Sequence, residues 1–382
     1  MLLVLLLLPG TLAGQALLVS GYNAEMEVYS IGGGPNNHTI TKAAAWPVDT
    51  NLTWLQVPAS GWLEVGASLY ATHEVSSFVP GVDPGTLGGA VSRWRREAGG
   101  LRREDWVGVG QGPAHLLADT RPDFGGHVYT ANYGDGTWSA VSLDLATGEL
   151  GKVEKTWNYT TASCVPHPGS TRGSHPHQTV VRGPHIWVVD LGCDTIHHHR
   201  WNGSVLWEGN STQLAAGRGP RHMLLHPWRD IALVVCEVQN FLEVYRINPA
   251  SGALTRLQEV PLTSKTTNYG AEILAVESGQ DLNIYISSRG VGMIEFFKLR
   301  GTEERVTREQ EFLLAGSWPR HMALHPSGRL LAVGDQKGNS VELVNIAPGT
   351  PGTGRLSPGA VTTPGDGPTQ PSFFAFIDTW DM

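Results

Sequence analysis

Cysteine is scarce. Cys164, Cys193 and Cys236 are the only three in 382 residues, so at most one internal disulfide can form, one thiol is left over, and disulfides cannot be the main scaffold. Charge is scarce as well, at 16% of the chain, and no basic excess stands out, because the formal net charge is −8 with a pI near 6.0. That balance argues against nucleic acid or an anionic membrane as the main partner. The conspicuous apolar run, residues 2–8, is too short for a membrane span. The chain also lacks a Gly-x-Ser-x-Gly nucleophile turn, a His-Glu-x-x-His helix, a Cys-x-x-Cys pair and a Walker-type loop, so the familiar signatures of serine-hydrolase, zinc, redox and nucleotide chemistry are missing.

What the chain has in excess is glycine, 47 residues, and proline, 24, together close to a fifth of the total. This suits many short strands joined by tight turns, and long helices are not expected. A unit of roughly fifty residues recurs, a spacing typical of β-propeller repeats. Two copies are nearly identical: residues 219–227 read Gly-Pro-Arg-His-Met-Leu-Leu-His-Pro and residues 318–326 read Trp-Pro-Arg-His-Met-Ala-Leu-His-Pro. Pro220 and Pro319 lie 99 residues apart, two repeat lengths.

First strands are expected to begin near Trp62, His115, His177, His222, Glu272, His321 and Phe373, which makes an all-β, seven-bladed β-propeller. The last start has no room for three further strands, while the N-terminal end offers strands with no first strand before them. Pairing of the N- and C-terminal strands in one blade therefore closes the ring and leaves no open edge. The repeat runs through nearly all of residues 17–382, read as one domain. Residues 347–371, rich in Pro, Gly and Thr, read as a flexible surface loop or mobile outer segment of the sixth blade.

Residues 1–16 resemble a secretory signal, with cleavage after Gly14 or Ala16. Five Asn-x-Ser/Thr sites, at Asn37, Asn51, Asn158, Asn202 and Asn210, fit a secreted, glycosylated protein. His197, His198 and His199 imitate a metal tract, but consecutive strand residues alternate faces and cannot share one ion. Most of the thirteen tryptophans are read as blade-packing residues, with one or two left for a sugar-like ligand.

In an antiparallel blade, the start of the first strand and the end of the second meet at one edge. Applied to every repeat, this rule gathers a polar set at one mouth of the central channel. First strands contribute His115, His175, His177, Arg221, His222, Glu272, Arg320 and His321. Second-strand ends contribute His73, Glu74, Asn132, Asp190, Glu237, Arg289, Asp335 and Gln336. A histidine of the Pro-Arg-His element has a structural reading too, as a hydrogen-bond partner of the next blade's backbone.

These residues carry a family resemblance. Ser174-His-Pro-His-Gln, Val189-Asp-Leu-Gly-Cys-Asp, Gly219-Pro-Arg-His-Met, Cys236-Glu-Val, Gly270-Ala-Glu-Ile, Ser287-Ser-Arg-Gly, Trp318-Pro-Arg-His-Met and Asp335-Gln-Lys-Gly resemble, in order, the lactonase family of seven-bladed propellers. That family includes bacterial propeller-type 6-phosphogluconolactonases and fungal carboxy-cis,cis-muconate cyclases. The resemblance implies a metal-independent site with no cofactor, in which the matching His177, Arg221, Glu237, Glu272, Arg289 and Gln336 take part; the edge geometry adds Asn132, Asp190 and His222, read with Gln336 as substrate contacts. Arg320 and His321 read as the structural echo of the same repeat.

The expected activity is hydrolysis of a sugar-acid or related lactone by a monomer whose partner is a small molecule. A base, Glu237, Glu272 or His177, activates water while Arg221 or Arg289 holds the oxyanion. Two other readings stand beside it: a secreted propeller that binds a small acid without catalysis, and a lactonising cyclase that uses the same groups.

Overall fold

Alternation of side chains along a strand puts neighbours on opposite faces, so a strand that reads apolar without interruption must be covered on both. Ile231–Cys236 is such a strand. Ile231, Leu233 and Val235 pack toward one neighbouring blade, whereas Ala232, Val234 and Cys236 pack toward the other. The same division runs around the molecule, and each of the seven blade-to-blade interfaces has its own apolar cluster.

The computed structural model describes residues 15–34, 37–48, 51–56, 66–75, 88–124, 126–160, 164, 173–202, 205–263, 268–347, 354–362 and 366–378. They form seven antiparallel sheets, and the only helical element among the described residues is the single turn Pro122–Phe124. Blade 1 comprises Leu52–Gln56, Ser68–His73, Gly89–Glu97 and Gly100–Val109. Blade 2 comprises Pro113–Asp119, His127–Asn132, Thr137–Leu143 and Leu150–Asn158. Blade 3 comprises Pro176–Arg182, His185–Asp190, Thr195–Asn202 and Val205–Glu208, with Thr212–Gln213 added beside its third strand. Blade 4 comprises Pro220–Leu225, Ile231–Cys236, Phe241–Ile247 and Leu254–Pro261.

Blade 5 comprises Tyr269–Ser278, Asp281–Arg289, Met293–Leu299 and Val306–Leu313. Blade 6 comprises Pro319–Leu324, Leu330–Asp335, Ser340–Ile346 and Leu356–Val361. Blade 7 takes its first strand, Pro371–Asp378, from one end of the chain and Gln15–Gly21, Glu25–Gly32 and Thr39–Pro47 from the other. First strands of successive blades contact one another all the way round, from blade 1 to blade 7 and back to blade 1, and so they line the axis.

Closure follows the expected pattern. Gln15–Gly21 runs antiparallel to Pro371–Asp378, with Leu17 opposite Phe376 and Val19 opposite Phe374. Two expectations need correction. The first strand of blade 1 is Leu52–Gln56, paired to Ser68–His73, rather than one beginning near Trp62, a residue outside those described. A long connection between the first two strands of this blade shifted the apparent start. Within 347–371 the loop reading is corrected at Leu356–Val361, which is the outer strand of blade 6, bonded to Ser340–Ile346, in the place the alternative of an outer segment of that blade gave it. Of the leader read at residues 1–16, residues 1–14 lie outside those described, while Gln15 and Ala16 already belong to the closing blade.

The leftover and paired thiols also separate. Cys164 bonds Cys193 in the turn after the second strand of blade 3, and Cys236 is buried and free. His197, His198 and His199 divide between faces as alternation requires. His197 and His199 lie against Tyr159, and His198 Nε2 meets His185 Nδ1 at 3.0 Å.

Because closure fills the seventh interface, a chain truncated before Pro371 is expected to lose its single cooperative thermal transition and to aggregate, as followed by circular dichroism and light scattering. A melt unchanged from the full chain rules out a stabilising role for this pairing.

Candidate active site

The first strands share an irregularity that decides where the site residues sit. In blade 4, Pro220 pairs with Cys236 and His222 with Val235, which leaves Arg221 as an extra residue opposite a single partner position. A bulge of this kind bends the strand and re-aims a side chain. It recurs at the channel mouth of all seven blades. The residues passed over are Thr53, Ala114, His177, Arg221, Ala271 with Glu272, Arg320 and Ser372. Four of these eight are ionisable, and they stand on the four consecutive blades 3 to 6.

Second-strand ends complete the set. Glu237 follows the strand Ile231–Cys236, Arg289 ends Asp281–Arg289, Glu74 follows Ser68–His73 and Tyr22 follows Gln15–Gly21. Glu237 Oε2 lies 2.6 Å from Arg289 Nη2 and 3.2 Å from Arg221 Nε. Arg221 also donates Nη1 to the Ala271 carbonyl at 2.7 Å. Burial alone raises the Glu237 carboxyl, but the guanidiniums of Arg289 and Arg221 outweigh it and hold its pKa below the usual value. Arg221 is pushed the other way. Burial first, then the neighbouring charges of Arg289 and Arg320, lower its pKa, so its charged form gains from any anion brought near.

Below this layer lies a second one. His222 Nδ1 donates to Glu272 Oε1 at 2.8 Å, the Ile273 amide donates to the same oxygen at 3.1 Å, and His321 Nε2 stands 3.4 Å from Glu272 Oε2. Burial raises the Glu272 pKa. Glu272 is 5% exposed at its side chain, against 18% for Glu237, so Glu237 is the carboxylate that faces the mouth. The floor is Trp54, whose ring lies 4.4 Å from His115, 5.3 Å from His321 and Phe373, and 5.5 Å from His222, centroid to centroid. One indole thus reaches side chains of blades 2, 4, 6 and 7 across the axis and forms the floor of a cup at the mouth.

Several expected contacts do not reach the cup. Asp190 accepts the amides of His175, Gly192 and Cys193 on Oδ1 and the Ser174 hydroxyl and His197 Nε2 on Oδ2, so its lone pairs are committed to the turns of blade 3. Asp335 is used in the same way by the amides of Ser317, Trp318, Lys337 and Gly338. Asn132 donates to Thr137 and Ser139 inside its own hairpin. His73 pairs with Ser92. Gln336 is half-buried near the rim, with its amide N–H bonded to the Trp318 carbonyl.

His115 and His321 have the structural role: each Nδ1 accepts a backbone N–H from the next blade, from Thr179 at 3.4 Å and Phe374 at 3.3 Å. His222 sits under the cup and orients Glu272. His177 is buried with Nδ1 unpartnered, its ring 5.0 Å from His222. Arg320, read from the sequence as an echo, joins the cup instead: it lies 3.6 Å from Glu74 and adds its charge to the field on Glu237. Tyr22 and Trp54 escaped the sequence reading because neither falls in a repeated motif. At the rim, Trp318 packs against Tyr269, and His175 stacks on Tyr133.

Comparison with known proteins follows this geometry closely. The family model described as Lactonase, 7-bladed beta-propeller, matches residues 17–373. A 6-phosphogluconolactonase of Bacillus subtilis is 28% identical over 244 residues, covering 61% of this chain and 66% of that protein, a little under two thirds of its length. A 6-phosphogluconolactonase of Pectobacterium carotovorum is 31% identical over 288 residues, covering 73% and 80%. Among solved structures, a Lactobacillus plantarum protein superposes with a TM-score of 0.78 at 21% identity over 96% of this chain and all of that one. The periplasmic gluconolactonase of Pseudomonas aeruginosa gives 0.76 at 19% identity over 96% and 99%. At such identities the structural likeness speaks for the fold alone.

The buried histidines make the cup acid-sensitive. Burial lowers the pKa of His321 to about 4 and those of His177 and His222 well below their ordinary value. Unfolding returns each to about 6.5, so below that pH the unfolded chain binds protons that the folded one refuses, and stability falls as pH drops. The melting temperature is expected to fall by roughly 10 °C between pH 7 and pH 5, measured by calorimetry. A flat profile across that window shows that these rings are not held neutral.

Proposed function

This chain belongs to the lactonase family of seven-bladed β-propellers, and we propose that it hydrolyses the lactone of a sugar acid or related carboxylic acid in the cup at the channel mouth, without a metal. The observation that carries the proposal is Glu237 held between Arg289 and Arg221 at the bulged strand starts. A lactonase needs a group to accept the proton of the attacking water and a cation where the carbonyl oxygen becomes negative. Glu237 is ionised at neutral pH, faces the mouth and suits the first role. Its lowered pKa makes it a weak base, which is enough for a reactive cyclic ester.

Arg221 has the second role. Its Nε is buried 3.2 Å from Glu237 Oε2 but is not aimed at it as a hydrogen bond. Its destabilised positive charge gains most when negative charge develops on the carbonyl oxygen. Arg289 orients Glu237, and Glu272 with His222 forms the wall behind them. Water adds to the carbonyl carbon as Glu237 takes its proton, the ring C–O bond breaks, and the leaving alkoxide receives that proton to yield the open hydroxy acid. The leucine run and five sequons support the further proposal that this takes place on a secreted, glycosylated protein.

Arg221→Ala is expected to lower kcat by ~10²- to 10³-fold, the range for loss of an oxyanion donor, in a pH-stat assay on aldonolactones. Unchanged kcat with raised KM assigns Arg221 to binding instead. With Glu237 as base, the acid limb of kcat/KM lies below about 4.3, the ordinary Glu value, and Glu237→Gln abolishes it. An acid limb above that value points to Glu272, whose pKa is raised. Activity is expected to survive exhaustive dialysis against a chelator, and its loss there, restored by added metal, excludes the metal-independent reading. Ligand binding without any acid release assigns the cup to a binding module.

A further inference from the structure

Three guanidiniums converge on the cup, yet none is without a carboxylate. Arg221 and Arg289 share Glu237. Arg320 lies 3.6 Å from Glu74, and its guanidinium carbon is 5.6 Å from the centroid of the Tyr22 ring. Glu74 in turn accepts the Tyr22 hydroxyl at 2.9 Å on the same Oε2 that faces Arg320. Burial works against the charge of Arg320, but Tyr22 and Glu74 more than offset it. These three side chains come from blades 7, 1 and 6. They form an arm of the cup with contacts of its own, beside the Arg221–Glu237–Arg289 group on blades 4 and 5 that also feels the Arg320 charge.

Counted formally, three arginines face three carboxylates, Glu237, Glu74 and Glu272, and the surrounding histidines are neutral. Among the described residues one further cation, Lys337, stands at the rim beside Asp335, its ammonium over the Trp318 face at 3.1 Å from the centroid. Among the described residues the cup thus offers at most about one positive charge in excess. A phosphate dianion needs free donors and an anion-free wall; Arg320 has the donors, but the Glu74 carboxylate 3.6 Å away denies the Tyr22–Glu74–Arg320 arm the second. Sugar hydroxyls match it better, since each can donate to Glu74 or to the Tyr22 oxygen while accepting from Arg320. The aromatic pairs at the rim, Trp318 with Tyr269 and Tyr133 with His175, add apolar faces suited to a sugar ring.

We infer that the Tyr22–Glu74–Arg320 arm reads the hydroxylated end of the substrate, so that the lactone taken in this cup is that of an unphosphorylated sugar acid. The inference rests on the lactonase reading for the identity of the reacting group, but its recognition element is a different set of residues. It also separates this chain from what the names of its phosphogluconolactonase relatives state of those proteins.

The test is calorimetric titration of the full-length protein with gluconate and with 6-phosphogluconate, run beside turnover of the two corresponding δ-lactones. Gluconate is expected to bind at least ~10-fold more tightly, equivalent to about one unit of log K. Glu74→Gln, which removes the negative charge from the arm, is expected to shift the preference toward the phosphorylated ligand by about the same factor. Tighter binding of 6-phosphogluconate to the unsubstituted protein overturns the inference, as does a preference that Glu74→Gln leaves unchanged or no binding of either acid. A preference for gluconate without turnover of any lactone upholds the inference and sinks the hydrolase reading alone. If the Glu74 variant does not fold, the comparison on the unsubstituted protein decides.

Discussion

Everything in this molecule depends on the requirement that each blade be covered on both faces. A sheet buried on both sides is stable only between neighbours, and seven such sheets satisfy one another only if the ring is complete. The last gap is filled by pairing Pro371–Asp378 with Gln15–Gly21, strands more than 340 residues apart in the chain. Phe374 and Phe376 from one end and Leu17 and Val19 from the other then pack together against blade 6. Once closed, the ring has a fixed axis, and seven first strands deliver their starts to one mouth.

The bulge repeated at that mouth converts a packing device into a chemical one. A regular ladder at these positions sends alternate side chains into the blade interfaces, where Arg221 or Glu272 has no place. The extra residue frees one side chain per blade from the alternation, and four of the seven blades use it for an ionisable group. The charges that result are stable only in company: Glu237 is held ionised by two guanidiniums, and Arg320 has the Glu74 carboxylate beside it. Burial without partners disfavours each of them. Trp54 supports the arrangement from beneath through its ring contacts with His115, His222, His321 and Phe373.

Much of this was legible in the sequence because repetition reports itself. The Pro-Arg-His-Met pair, the spacing of first strands and the orphan strands at the two ends lead to seven blades and their closure. Edge geometry then collects Arg221, Glu237, Glu272 and Arg289, which do meet. The same geometry also collects Asn132, Asp190 and Asp335, which do not serve the cup. A carboxylate at a strand end looks alike in sequence whether it faces a ligand or, as Asp190 does, spends its lone pairs on turn amides, a serine hydroxyl and a histidine of its own blade. Blade 1 was misplaced because its inner strand is separated from its partner by a long connection with no repeat signal.

Sequence alone determined the architecture, because a period of about fifty residues and strands apolar on both faces admit few other solutions. It also settled which residue types stand at the mouth. Which of them act together was decided by tertiary structure. Arg320 and His321 are adjacent in the chain, and their repeat partners Arg221 and His222 are equally adjacent. The bulge sends Arg320 to the cup beside Glu74 and Tyr22, two residues from the other side of the closure, while His321 returns to the ladder and binds the amide of Phe374. Contacts of that kind arise only when the two ends of the chain have met, since no local pattern encodes a partner three hundred residues away.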